Sequence, residues 1–206
     1  MNPANTDIDI DFADRDNALV GLWHIPAMLT NKNGQISRHP SGVYFQDAPV
    51  NPLTGLCSFD YKLAEAVGYF KIDFLNQTVY QQVRDEEHLD ALMAIDPPWE
   101  LLDSPELVEQ LPHINRHYDV VQAMQPRSIE DLAEVLAIVR PGKRYLLGAA
   151  KDRIKREIWR PVAADEDGEV GYTFKKAHAI AYAALVVVAF NLIVEQLSAE
   201  DDGISI

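Results

Sequence analysis

Residues Thr6 to Phe12 read TDIDIDF. Strict alternation sets Asp7, Asp9 and Asp11 on one side of an extended strand and Ile8, Ile10 and Phe12 on the other. A later segment, Gly68 to Leu75 (GYFKIDFL), repeats the arrangement, with Phe70, Ile72 and Phe74 alternating against Lys71, Asp73 and Leu75. Carboxylates in such rows suit divalent cations that prefer hard oxygen, and two such ions about 4 Å apart serve phosphoryl transfer. The row Asp7, Asp9 and Asp11, with Asp73 as a third carboxylate on a neighbouring strand, therefore offers candidate ligands for two Mg²⁺ ions, with Mn²⁺ as a substitute. Lys71, on the same strand face as Asp73, is placed to meet a nucleoside triphosphate. Aspartate runs are often simply solvated. A row backed by an apolar face repels itself unless a cation intervenes, which favours the metal reading.

These side chains need strands to hold them. Thr6–Phe12 and Gly68–Leu75 are expected as strands, with a short one at Val43–Gln46 between them. Asp14 to Leu29 suggests a short helix reaching Pro26, and Asn31–Gly34 and Pro49–Gly55 read as turns. From Thr78 the pattern is helical. One helix is expected over Thr78–Met93, and another starts at Ser104–Pro105. A third opens on Ser128 with Asp131 in a capping-box arrangement, carries Leu132, Val135, Leu136 and Val139 on one face, and stops at Pro141 and Gly142. Lys143–Trp159 suggests a basic helix, Ala164–Gly171 an acidic turn, and Ala177–Leu197 a long apolar helix.

The chain has 206 residues, 48% of them apolar, enough for one hydrophobic core, so a single domain over 1–206 is expected. The lone Cys57 excludes an internal disulfide and a cysteine-based zinc site and fits a reducing, cytoplasmic compartment. The opening MNPANTDIDIDFADRD has neither the basic leader nor the apolar run of a secretory signal. Ala179–Val194 is the one membrane-like stretch, but it falls short of the ~20 apolar residues of a span, so a buried helix is expected and no membrane partner. A net charge of -14 argues against broad electrostatic wrapping of nucleic acid. Ten of the eighteen basic residues nevertheless fall between Arg140 and Lys176, which suggests a phosphate-facing side. His113 and His117 have zinc-like spacing, yet HINRH lacks the glutamate of the metalloprotease motif, and surface histidines are expected. Trp23, Trp99 and Trp159 are expected to pack rather than stack on bases.

Several of these blocks, in this order, resemble the alpha subunit of bacterial DNA polymerase III, the C family of DNA polymerases. TDIDIDF resembles its aspartate-rich strand and GYFKIDFL the strand with its third catalytic aspartate. RHPSGVYF (Arg38–Phe45), QPRSIEDLAEVLAIVRPG (Gln125–Gly142) and GYTFKKAHAIAYA (Gly171–Ala183) are similar to further blocks of the same family. The resemblance implies an α+β fold: a truncated palm of the polymerase beta nucleotidyltransferase type, with a small mixed or antiparallel sheet and helices on one face. It assigns the metals and catalysis to Asp9, Asp11 and Asp73. Nucleotide contacts go to Lys71 and, from the basic side, to Arg140, Lys175, Lys176 and His178.

The family's phosphoesterase domain, its Gly-Ser turn on the triphosphate and most of its fingers have no counterpart in these residues. Asn76 stands where the family usually has Gly, and Lys143 where it often has Pro. Processive, template-directed synthesis is therefore not expected. The function implied is metal-dependent transfer of nucleotides from a nucleoside triphosphate to a primer or other nucleic acid 3′ end. The alternative is a non-catalytic, palm-derived module of a mobile element that mimics or binds a host replication protein. A phosphoesterase is a third, weaker reading.

Overall fold

The computed structural model describes residues 8–31, 33–162 and 174–201. Thr6, Asp7 and the acidic turn expected at Ala164–Gly171 lie outside them. Where length suggests one domain, the chain divides into two compact units, Met1–Gln82 and Val83–Ile206.

The first unit is built on a four-stranded sheet: β1 (Ile8–Phe12), β2 (Ile25–Thr30), β3 (Ile36–Tyr44) and β4 (Ile72–Asn76), in the order β1-β4-β3-β2. The β1–β4 pair is parallel and the other two pairs are antiparallel, so the sheet is mixed. Two short helices accompany it, α1 (Arg15–Leu19) and α2 (Tyr61–Ala66). With the helices of the second unit, this makes an α+β chain.

The helix expected up to Pro26 stops at Leu19. Asp14 caps its start, accepting from the Asn17 N–H at 3.0 Å, and the chain turns away at Gly21 with φ +79°. The segment expected to finish that helix forms β2 instead. Pro26, which lacks an N–H, is tolerated because β2 is an edge strand and its register shifts between Pro26 and Met28. β3 begins at Ile36 rather than Val43. Its first residues are mostly exposed and polar, so hydropathy does not reveal them. Their pairing is set by the hairpin turn, in which Asn31 Oδ1 accepts from the N–H groups of Asn33 and Gln35, both at 2.9 Å. Asp60 caps α2, accepting from Lys62 N–H at 3.0 Å and from Thr30 N–H at 2.7 Å. Burial opposes ionisation of its carboxyl, but these backbone donors prevail and hold it below the usual carboxylate range.

Val43 and Tyr44 are adjacent on β3 and so face opposite sides of the sheet. On the Val43 side, Leu19 of α1 packs with Phe74, Phe12 and Ile72, the Phe12 and Phe74 rings stacked at 4.8 Å. On the Tyr44 side, Ala64 of α2 packs with Ile25, Ala27, Ala48 and Cys57. Helices thus lie on both faces rather than one, because both faces of this small sheet carry apolar residues that need cover.

In the second unit the expected Thr78–Met93 helix is absent as a continuous element. A 3-10 turn at Thr78–Gln82 closes the first unit, and α3 (Glu86–Ala94) starts anew on Asp85, which accepts from His88 N–H at 2.8 Å. Further elements are α4 (Pro105–Val108), α5 (Tyr118–Met124), α6 (Ile129–Ile138), α7 (Lys151–Glu157) and α8 (Lys176–Asp201). Ser104 caps α4 and Ser128 caps α6, the latter through a 3.1 Å bond from Asp131 N–H, as the sequence suggests. The basic helix is broken: Pro141–Leu146 is a 3-10 turn, and Gly148 at φ +79° separates it from α7.

α8 is long and apolar enough to cross a membrane by composition, but Leu185 to Leu192 are all buried. It packs on α6 and α3, with Trp99 edge-on to Phe190 at 6.4 Å. Trp23, by contrast, is 61% exposed. His113 does not sit on a helix: it has φ +64° and its ring lies 4.5 Å from that of Tyr182, half-buried rather than on the surface.

Glu134 on α6 is a buried carboxyl. Burial and then the Asp131 charge raise its pKa, against weaker relief from Lys155, Lys151 and Lys176. Its folded pKa exceeds the unfolded one, so the native state binds the extra proton. This contribution to stability therefore increases as pH falls through the raised value and is a full penalty at neutral pH. Glu134→Gln is expected to raise the unfolding midpoint at pH 7 and to narrow that gain as pH falls toward the ordinary carboxylate range, as thermal melts across pH will read.

Candidate metal and nucleotide site

The register of the β1–β4 pair decides how the carboxylates meet. Asp9 lies opposite Asp73, and Asp11 opposite Leu75. Paired residues of neighbouring strands share a face, so Asp9, Asp11 and Asp73 project to the same side from adjacent strands about 4.8 Å apart. The opposite side carries Phe12 and Phe74. Asp9 is exposed, Asp11 half-buried and Asp73 buried.

Asp73 is the centre of a polar knot. Oδ1 accepts from Ser41 Oγ at 2.6 Å, and Oδ2 is held by the Lys71 ammonium. His39 Nδ1 stands 3.7 Å from Oδ1, an ion-pair distance only if the ring is charged. It is neutral: Nδ1 accepts from Gly42 N–H at 2.9 Å and Ser41 N–H at 3.3 Å, which leaves the ring proton on Nε2. Burial, followed by the Lys71 charge, lowers its pKa below the ordinary value. Tyr61 closes this side, its ring edge-on to His39 at 5.2 Å and 6.0 Å from Lys71 Nζ.

Asp11 is held separately by Gln77, whose Nε2 donates to Oδ1 at 3.2 Å. Burial and then the Asp11 charge raise the Tyr80 phenol, which places that ring in the same neighbourhood. Among the described residues, no three His, Cys, Asp or Glu side chains converge closely enough to share an ion. The three aspartates share a face, while Asp73 and Asp11 are each bound to a local partner.

Gly42 explains how Lys71 reaches Asp73. Gly42 pairs with Asp73 across β3 and β4, and a Cβ there would meet Lys71 Cδ at 2.4 Å and Cγ at 2.8 Å. The lysine stem lies over the bare Cα. Gly42→Ala is expected to push Lys71 off Asp73 while costing only about 1 kcal/mol, because the stem can swing outward. A changed Asp73 carboxyl ¹³C shift in an otherwise native spectrum will report it.

The remaining candidates, Arg140, Lys175, Lys176 and His178, belong to the second unit. Arg140 is exposed and stacks on Phe174 at 4.8 Å, so it lies next in space to the residue that precedes Lys175 and Lys176, both exposed; His178 is half-buried. The basic cluster between them is partly spent on structure. Lys143 is buried and donates to the carbonyls of Glu157 and Arg160, both at 2.7 Å, while Arg144 pairs with Asp119, Lys151 with Asp131 and Arg153 with Glu157.

Ser41, Gln77 and Gly42 escape a reading of the sequence alone. None of the three is charged, and only the fold shows what each touches. The block RHPSGVYF, already singled out by resemblance, was the available signal for Ser41 and Gly42. No protein-family model and no curated protein matches this chain.

Proposed function

We propose that the first unit is a palm-like nucleotidyltransferase site, which transfers nucleotides to a nucleic acid 3′ end with two divalent ions on Asp9, Asp11 and Asp73. The observation that carries the proposal is the parallel register of β1 and β4, which sets Asp9 beside Asp73 and Asp11 on the same face. The donor chemistry fits. The ligands are carboxylate oxygens, and Asp73 already holds a cation, the Lys71 ammonium, where a metal would be held.

The metal pair would supply a lowered pKa at the attacking hydroxyl and neutralisation of charge on the phosphates. The protein's part is positional. Ser41 fixes the rotamer of Asp73 by its hydrogen bond to Oδ1, and Gln77 does the same for Asp11. Lys71 leaves Asp73 for the triphosphate, keeping one positive charge in the site at each stage. Neutral His39 takes no proton and holds the β3 backbone through Nδ1.

A second reading has a specific observation behind it. Asp73 is fully satisfied without metal by Lys71 and Ser41, as suits a palm scaffold kept for binding a replication protein. The two readings part on one assay. Labelled nucleoside triphosphates, Mg²⁺ or Mn²⁺ and primed or unprimed strands are incubated with the parent and with Asp9→Asn. Extension by the parent alone supports transfer. No extension, together with no metal-induced thermal shift, leaves the binding scaffold.

A further inference from the structure

Arg15 opens α1 just beyond the C-terminal end of β1, and its backbone N–H donates to Asn76 Oδ1 at 2.6 Å, at the matching end of β4. The residue is only 8% exposed. Of its guanidinium nitrogens, Nη1 reaches Asp16 Oδ1 at 3.3 Å, and that carboxylate lies largely in solvent. Nε and Nη2 are buried and have no hydrogen-bond partner. These two groups form one edge of the guanidinium plane, and its parallel donors match two oxygens of a single oxyanion. A buried charge with two idle donors is costly to a small sheet unless a partner arrives.

We propose that Arg15 anchors a phosphate-binding site at the C-terminal end of the parallel β1–β4 pair, with its Nε and Nη2 edge taking two oxygens of a phosphate group. Open sheets commonly receive ligands outside the carboxyl ends of their parallel strands. Two acidic side chains of the sheet have partners of their own, Asp11 in Gln77 and Asp73 in Lys71 and Ser41. Because both idle nitrogens are sealed from solvent, binding requires α1 to swing outward. That helix is five residues long and held to the sheet through Leu19.

The site needs no metal, so it is tested apart from the two-metal reading. The full chain in excess EDTA is titrated with pyrophosphate, adenosine triphosphate or adenosine, against sodium chloride of equal ionic strength. Thermal midpoint and calorimetric heat are read for the parent, Arg15→Lys and Arg15→Met. Pyrophosphate and adenosine triphosphate are expected to raise the parent midpoint, and adenosine and salt to leave it unchanged. Arg15→Met, relieved of the idle charge, melts higher than the parent without ligand and binds pyrophosphate at least about tenfold more weakly. Arg15→Lys, which keeps the charge without the fork, is also weakened. A response to adenosine triphosphate alone, lost in Arg15→Met, keeps the phosphate chain on Arg15 and makes the nucleotide its source.

Should Arg15→Met not fold, the arginine Nε–H spectrum of the parent decides, since one resonance must move selectively with pyrophosphate. A parent unmoved by either phosphate compound, or an Arg15→Met protein that binds as the parent does, overturns the proposal. Loss of nucleotide transfer with this response intact would remove the two-metal reading and leave the phosphate site standing.

Discussion

On the proposed two-metal reading, Asp9→Asn and Asp73→Asn are expected to lower nucleotide transfer by about 10³-fold or more each, the scale seen when an essential electrostatic group is removed from a preorganised site. Their effects on stability should differ. Asp9 is exposed, so its replacement is expected to cost the fold less than replacement of buried Asp73. Asp73 is 8% exposed and carries the Lys71 ammonium on Oδ2 and the Ser41 hydroxyl on Oδ1. Asparagine can still accept from Ser41, but it leaves Lys71 without a counter-charge in a half-buried place. The lysine stem can turn outward to water, which limits the loss to about 1–3 kcal/mol. Labelled-nucleotide incorporation and urea unfolding, run on both variants, separate a shared loss of chemistry from an unshared loss of stability. Equal stability losses would mean that Asp73 is not the hub described here.

Asn191→Leu is expected to destabilise the second unit by about 3 kcal/mol, although it removes the one polar side chain from the buried run Leu185–Leu192. The amide is not a misplaced polar group. Its Nδ2 donates to the carbonyl oxygens of Leu92 at 2.7 Å and Ile95 at 2.8 Å, at the end of α3. The last carbonyls of a helix have no partner within it, and here the long helix supplies one. Leucine would bury more apolar surface and strand both acceptors, and the unpaired carbonyls outweigh that gain. Thermal and urea unfolding of the variant will read the difference; a more stable Asn191→Leu would show that the two bonds are worth less than one leucine.

The alternation of aspartate with isoleucine and phenylalanine was sufficient to place Asp9 and Asp11 on one face of a strand and Asp73 on the charged face of another. Periodicity could not say that β1 and β4 are neighbours, still less that they pair in parallel with Asp9 opposite Asp73. That is a property of long-range pairing, and it turns two separate rows into one surface. Lys71 was assigned to a triphosphate from its position two residues before Asp73. The same spacing lets it fold back onto that carboxylate, because Gly42 leaves its stem room. Arg15 carried no signal, since an arginine after an aspartate row reads as an exposed helix start.

Pro26 misled: it looked like the end of a helix, yet it lies inside a strand of the hairpin β2–β3, as Pro40 does. Proline excludes a ladder N–H, not an extended backbone. The caps at Ser104 and Ser128 were legible because each depends on residues within one turn. The breaks that split the expected Thr78–Met93 and Lys143–Trp159 helices were set by Asp85 as a new cap and by Gly148 in a left-handed conformation. Neither disturbs an apolar periodicity.

The most direct test of the shared carboxylate face is Mn²⁺ and a non-hydrolysable nucleoside triphosphate soaked into crystals of the full chain, read by anomalous scattering. The account predicts manganese peaks bounded by Asp9, Asp11 and Asp73, with Lys71 turned from Asp73 toward the phosphates. Lys71 still seated on Asp73, with no manganese at the three aspartates, would contradict it.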